Sequence, residues 1–291
     1  MKKLKPIKLL KNLNSLAVSA GLLVLAPISN NTYAATPDVC KDVLTQTTAK
    51  KNVFSENPSG VISANLTNNF CLGSPDKFEI TIYEMGLCTQ NPISGSPKAF
   101  SKDNCVTSMV STGSKADLAG RTVDLPQASN RPPNDTYTYA YMVILNEFGL
   151  KGTISLAGTV YCSTSSGGVS SSSGCSAEAH SEELDDFGNS ETDDIGSADF
   201  GPETMPLSAG GGKVSALLTD SSLTRAEKIS QVTRLVAVFE TNSGNPVVIS
   251  DNTNGLEVEL QVADFGYGIM FVNGIPFDFG SSPFRPVFNT F

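Results

Sequence analysis

A hydrolytic triad in this chain would have to use His180, the only histidine among 291 residues. It stands in a stretch rich in Ser, Asp and Glu, where rigid placement is hardest to arrange. No Gly-x-Ser-x-Gly elbow accompanies it. Ser74-Pro75-Asp76-Lys77 has the Ser-x-x-Lys spacing. That chemistry needs the serine at a helix start, with a Lys-Thr-Gly companion that the chain lacks. The tetrapeptide reads instead as a turn ahead of a strand. Carboxylates are plentiful, but Glu79, Glu84, Glu257 and Glu259 alternate with apolar neighbours. That is the outward face of a half-buried strand rather than an acid–base pair. The chain has no Trp for a sugar platform. A carboxylate hydrolase is the outside reading, no catalytic residue is assigned, and the chain is not expected to be an enzyme.

Metal and phosphate chemistry fare no better. No Cys-x-x-Cys pair exists and the histidine stands apart, so a zinc site is not expected. Asp185, Asp186, Asp193 and Asp194 offer the oxygen ligands calcium prefers, but no Asp-x-Asp-x-Asp-Gly loop organises them. No cofactor is expected, and calcium is the nearest approach to one. Asp251-Asn252-Thr253-Asn254-Gly255 imitates part of such a loop and reads as a turn. Ala209-Gly210-Gly211-Gly212-Lys213 lacks the spacing of a phosphate-binding loop and reads as a hinge.

The six cysteines are the firmer chemistry. An even count in an exported chain reads as disulfides. Six thiols admit fifteen pairings. Proximity suggests Cys40–Cys71, Cys88–Cys105 and Cys162–Cys175, the last closing a short loop worth about 3 kcal/mol in the chain-entropy model.

Export is read from the N-terminus. Lys2, Lys3, Lys5, Lys8 and Lys11 precede the apolar stretch Leu16–Ala26, and Thr32-Tyr33-Ala34-Ala35 supplies a small-residue exit. This is the plan of a signal peptide over residues 1–34, cut after Ala34. The stretch is too short for the ~20 residues a membrane span needs, and no later segment reads as a span. Removing it takes away five lysines and no acid, leaving 15 basic against 29 acidic residues. Such a chain is a poor partner for nucleic acid. Charged residues are only 17% of the sequence, so Ser, Thr and Asn must supply much of the polar surface.

The elements that would carry these residues are strands. A short helix is expected over 36–51, with Thr36 as cap and Pro37 at the first position. After it, Val61–Leu66, Phe78–Met85, Tyr137–Leu145, Thr153–Leu156, Thr159–Cys162 and Gln231–Glu240 read as strands from alternation and β-branched content. Asn254-Gly255 predicts a hairpin joining Val247–Ile249 to Leu256–Leu260. Asn273-Gly274 predicts another joining Ile269–Val272 to Ile275–Phe277. The fold class is therefore mainly β, an antiparallel sandwich. Its strands run over 35–162. Residues 163–212 are a flexible insert rich in Ser and Gly, then in acid. Residues 213–291 complete the sandwich or form a second small β unit.

The strand at Phe78, then Val123-Asp124-Leu125-Pro126, then Pro133-Asn134-Asp135-Thr136-Tyr137-Thr138 and its long strand resemble exported bacterial prealbumin-like sandwich domains over residues 78–155. In those, a Pro-Gly-Thr-Tyr-Thr turn opens a strand. Here Asn134-Asp135 replaces the glycine. The resemblance implies a fold only, because such domains serve adhesive, structural and transport-associated roles alike. Seven of the fifteen phenylalanines lie in residues 265–291. They read as a tail docked on its own core, or as one that pairs with a neighbour by strand addition. Stepping back by twos from Phe291 gives Asn289, Val287, Arg285 and Pro283, which is not the alternation of an outer-membrane barrel strand.

The expectation is an exported protein of periplasm, cell surface or medium, structural or adhesive, with self-association or a surface protein or glycan as partner. The alternative is a monomeric binding module for a glycan, cation or protein.

Overall fold

The structure, a computed structural model, describes residues 8–9, 70–119, 123–124, 128–156, 159–172, 174–184, 197–200, 213–241, 245–262, 266–272, 275–282 and 284–291. The expected signal peptide (save Lys8–Leu9), the 36–51 helix, the Val61–Leu66 strand and Cys40 lie outside them.

The described chain is built of strands, with a 3-10 turn at Ile229–Gln231. The principal ones are Lys77–Cys88 (β1), Cys105–Asp117 (β2), Tyr139–Leu145 (β3), Phe148–Lys151 (β4), His180–Glu182 (β5), Ser197–Phe200 (β6), Val214–Thr219 (β7), Arg234–Glu240 (β8), Leu256–Gln261 (β9), Tyr267–Val272 (β10), Ile275–Ser281 (β11) and Arg285–Thr290 (β12). No helix among the described residues is long and apolar enough to cross a membrane.

One large curled antiparallel sheet organises the molecule. β1 carries β2 on one edge, and β3 and β4 in succession on the other. β3 continues to β8, β7 and β6, while β4 continues to β5. Strands from both sides of the acidic stretch thus share one sheet. Against its inner face lie β9–β12, as the β9/β12 ladder and a sheet of Phe70–Gly73, β10 and β11. Lys8–Leu9 runs parallel to β9 at Val258 and antiparallel to Val123–Asp124.

Side-chain period decides the layering. Phe78, Ile80 and Ile82 all point inward and are fully buried, as their alternation requires. β3 is apolar at both parities and is buried on both faces. Its Ala140, Met142 and Ile144 join the main core with Leu256, Val258, Tyr267, Phe279 and Phe288. Its Tyr141 and Val143 join a second cluster with Val236, Val238, Leu217 and Ile93 on the opposite face.

Two disulfides form, Cys88–Cys105 and Cys162–Cys175, as proximity suggested. The third expected pair, Cys40–Cys71, involves Cys40, which lies outside the described residues.

The Asn254-Gly255 hairpin does not form. Val247–Ile249 pairs with Asp135–Tyr137, and β9 pairs with β12, so the chain crosses between sheets at this point. Neither residue adopts the positive φ that such a turn demands. Instead the Asn254 and Gly255 amides donate to the Phe291 carbonyl, at 2.5 and 3.0 Å. A Cβ at Gly255 would strike the Phe291 ring, so the glycine serves close approach rather than a turn. At Asn273-Gly274 the turn residues lie outside the described set. The flanking β10 and β11 pair antiparallel, with Val272 opposite Ile275.

The stretch after Cys162 is more ordered than its composition implies. Val169–Ser170 pairs with Thr159–Ser163, and β5 pairs with β4. Ladder bonds and the Cys162–Cys175 link hold residues that could not form a core alone.

Candidate functional site

Two regions gather polar and charged side chains, and both are built around a disulfide. The first is an open cleft of about 750 Å³ over the second apolar cluster. One wall is the excursion between β1 and β2. Cys88 and Cys105 stand opposite each other in the ladder, and their bond closes its base. Within it, Ile93–Ser94 pairs with Ala99–Phe100, and Gly95 takes φ +92° at the bend. Ile93 is buried against the sheet and anchors the hairpin.

The other wall is the turn after β7. Asp220 organises it, its Oδ1 accepting from the Ser222 amide at 2.8 Å and the Thr224 amide at 3.0 Å. Leu223 sits at φ +64°, a conformation that non-glycine residues rarely hold. Its side chain packs on the second cluster, which offsets that cost.

Between these walls, Lys98, Lys102, Arg225 and Glu227 line the cleft together with Phe100. The Phe100 ring lies 5.4 Å from that of Tyr141. Lys102 Nζ donates to Glu84 Oε1 at 3.0 Å. The same carboxylate accepts from Thr107 Oγ1 at 3.0 Å and Tyr141 OH at 2.5 Å. Burial, and then the bond to Glu84, hold the Tyr141 hydroxyl far above its ordinary range. It is a fixed donor, and the cleft base is rigid.

The second region is closed. β5 brings His180 against β11, and its Nε2 donates to the Phe279 carbonyl at 3.2 Å. Its Nδ1 is buried without a hydrogen-bond partner. Glu182 Oε2 accepts from the Ser281 amide at 2.7 Å. Phe279 N donates to the Gly167 carbonyl at 2.9 Å, bringing the Cys162–Cys175 loop into the same clasp. Gly167 has φ +85°, and a Cβ there would crowd Asp278 Oδ1 at 3.2 Å. Tyr267 stacks on Phe279 with centroids 4.9 Å apart. Burial drives all three titratable groups toward their neutral forms: His180 below its ordinary value, Glu182 and Asp278 above theirs.

His180 is thus rigidly held, contrary to expectation, because β5 is laddered to β4. It is no triad base, since its Nε2 is committed to a backbone carbonyl. Ser74 precedes a strand, not a helix. Lys77 lies on β1 and pairs with Glu79 at 3.4 Å. Ser250-Asp251-Asn252, a Ser-Asp-Asn triplet, is a turn tied down by Arg131 Nη2 on the Ser250 carbonyl and Asn134 Nδ2 on Asp251 Oδ1. Glu79 bonds Lys115 at 3.1 Å, and that bond holds its carboxyl below the usual range. Glu257 and Glu259 alternate with buried Leu256, Val258 and Leu260. Asp185, Asp186, Asp193, Asp194 and Gly210–Gly212 lie outside the described residues. No group of three or more His, Cys, Asp or Glu among the described residues is arranged to hold a metal.

The cleft was not legible in the sequence. Lys98, Lys102 and Arg225 sit in ordinary loops more than a hundred residues apart, and only the burial of Ile93 and Leu223 on one sheet face brings them together. No known family model, curated protein or solved structure matches the chain.

Proposed function

We propose that this chain is exported and acts outside the cytoplasm as a structural or adhesive β-sandwich protein at the cell surface or beyond it. The observation that carries the reading is the pair of disulfides in a strand-built fold. Reducing compartments keep such thiols open, whereas secreted domains use them as staples. The basic, then apolar, N-terminus supports export. The perturbed titratable groups are spent on holding elements together, which favours presentation of a surface over turnover of a substrate.

Sheet edges offer a route to self-association. Among the described residues β12 has one ladder neighbour, β9, and Phe291, which follows it, is more than half exposed. Cleavage after Ala34 would also remove Lys8–Leu9 from the other edge of β9.

A second reading, a monomeric binding module, is favoured by the cleft. Light scattering on the oxidised mature protein separates the two. Assemblies that grow with concentration support the structural subunit, and a monomer at every concentration supports the module. Fractionation with disulfide mapping tests both. Recovery of the full-length chain from the cytoplasm with reduced thiols overturns export.

A further inference from the structure

We propose that Asn254 is a site of self-modification, a deamidating asparagine whose reaction is held off by Phe291 and starts when that residue lets go.

Asn-Gly is prone to this chemistry because glycine has no Cβ to obstruct the approach of its amide nitrogen. The Gly255 nitrogen attacks Cγ of Asn254. A bond forms between them and the Cγ–Nδ2 bond breaks. Nδ2 leaves as ammonia, taking the proton of the Gly255 amide. Water then opens the five-membered imide. Breaking its bond to the side-chain carbonyl gives aspartate at this position. Breaking its bond to the α-carbonyl gives isoaspartate, with the main chain rerouted through Cβ. Either product carries a carboxylate where the amide was neutral, and water is the only co-reactant.

The fold leaves one of the two reacting groups open and withholds the other. Asn254 is exposed. Its Nδ2 donates to the Asn252 carbonyl at 3.2 Å, a solvent-exposed bond that costs little to break. Gly255 is buried, and its N–H donates to the Phe291 carbonyl at 3.0 Å. The Asn254 N–H converges on the same oxygen at 2.5 Å, and the Phe291 N–H returns a bond to the Gly255 carbonyl at 3.2 Å. Three carbons of the Phe291 ring lie 2.2, 2.6 and 2.7 Å from where a Cβ on Gly255 would stand. The nucleophile is thus bonded and covered. Base cannot take a proton that is shared with a carbonyl and shielded from water.

The guard is a single residue. Phe291 is itself more than half exposed, and Asn289 and Thr290 are exposed. Ladder ends with few buried contacts open at low free energy without unfolding the core. Opening over residues 289–291 releases the Gly255 amide while Val258 and Phe288 stay packed in the main core. Isoaspartate then lengthens the main chain by one carbon, and the two amides no longer converge on one oxygen. The end that opened cannot close as before, so the modification records the opening of β12.

The oxidised protein is aged at mildly alkaline pH beside a synthetic peptide of residues 251–258, and Asn254 is followed by mass spectrometry of digests. Deamidation in the protein should be slower by about tenfold or more, which corresponds to an opening free energy of at least about 1.4 kcal/mol. Hydrogen exchange at the Gly255 amide should be slowed by the same factor, because both reactions need that N–H set free. A chain ending at Thr290 should bring both rates close to those of the peptide. Phe291→Gly, which keeps the carbonyl and removes the ring, should fall between. Asn254→Gln, whose longer side chain closes no five-membered ring with Gly255, should abolish the mass change at this site.

Residues 258–260 should stay protected from exchange in each variant, the sign that β9 is intact. Should a variant lose that protection, the match of the two factors in the unaltered protein decides. Deamidation as fast in the protein as in the peptide, slow deamidation beside a freely exchanging Gly255 amide, or an unchanged rate in the chain ending at Thr290 each overturns the proposal.

Discussion

The cleft and the clasp are two solutions to one problem, a loop leaving a sheet and fastened by a disulfide. At the cleft, the Cys88–Cys105 bond lies at the base of its hairpin, and the cleft beside it is open. At the clasp, the Cys162–Cys175 loop is folded back against β5 and β11, and its titratable partners are enclosed. An aromatic lies over a glycine in each case. Tyr141 stands opposite Gly86 in the β1–β3 ladder, and Tyr267 covers Gly152. The same devices therefore build a rigid open site and a rigid closed joint. What differs is whether charge is left at the surface or pushed toward neutrality inside.

Removing either disulfide is the strongest way to break this comparison. The links span 17 and 13 residues. Each should contribute about 3 kcal/mol by restricting the unfolded chain. The variants Cys88→Ala/Cys105→Ala and Cys162→Ala/Cys175→Ala should thus lose similar stability in urea unfolding. Their local effects should diverge. The first should raise hydrogen exchange in residues 93–100 and leave 180–182 protected; the second should do the reverse. Loss of protection at both places from one cut would mean that the two regions are one cooperative unit.

The glycines test the shared device with a smaller effect. A Cβ at Gly86 would meet the Tyr141 ring and the Val106 carbonyl; one at Gly152 would meet the Tyr267 ring. Gly86→Ala and Gly152→Ala should each cost about 2 kcal/mol by overpacking. Unchanged urea midpoints would show that the rings move aside, and that the aromatic covers are not rigid.

The sequence revealed the frame of both regions and the content of neither. Period-two patterning put Phe78, Ile80 and Ile82 on one strand face, and strand-forming content marked Tyr137–Leu145 as a strand, because both are local properties; that the second run is central and buried on both faces is not read from them. Short loops between cysteines gave the two described disulfides for the same reason. Asn254-Gly255 misled because the pair signals a turn only when the chain doubles back. Here it meets Phe291, a contact made 36 residues away. His180 was equally opaque, since its partner Phe279 is 99 residues distant. Polar side chains in this fold are gathered between loops, and the local sequence does not record which loops converge.

The smallest effect, and the sharpest test of the closed joint, is its response to pH. His180 is held below its ordinary pKa, chiefly by burial. Its contribution to stability is therefore full above about pH 6.5, the unfolded value, and is lost as pH falls toward the lower folded value. Glu182 and Asp278 are held above theirs, again chiefly by burial. Their contribution is full below about pH 4, where both states are protonated, and is lost as pH rises through the folded values. The two trends oppose each other, so the unaltered protein should show a muted profile between pH 4 and 7. Single variants should expose the halves. Glu182→Gln keeps an acceptor for the Ser281 amide without the buried charge, so it should raise the melting temperature at pH 7 and leave it unchanged near pH 4. His180→Gln keeps a donor for the Phe279 carbonyl, so its cost at pH 7 should shrink as pH falls below 6.5. Curves for both variants that run parallel to the parent across this range would mean that the joint is held by its backbone bonds alone, and that enclosing these groups does no electrostatic work.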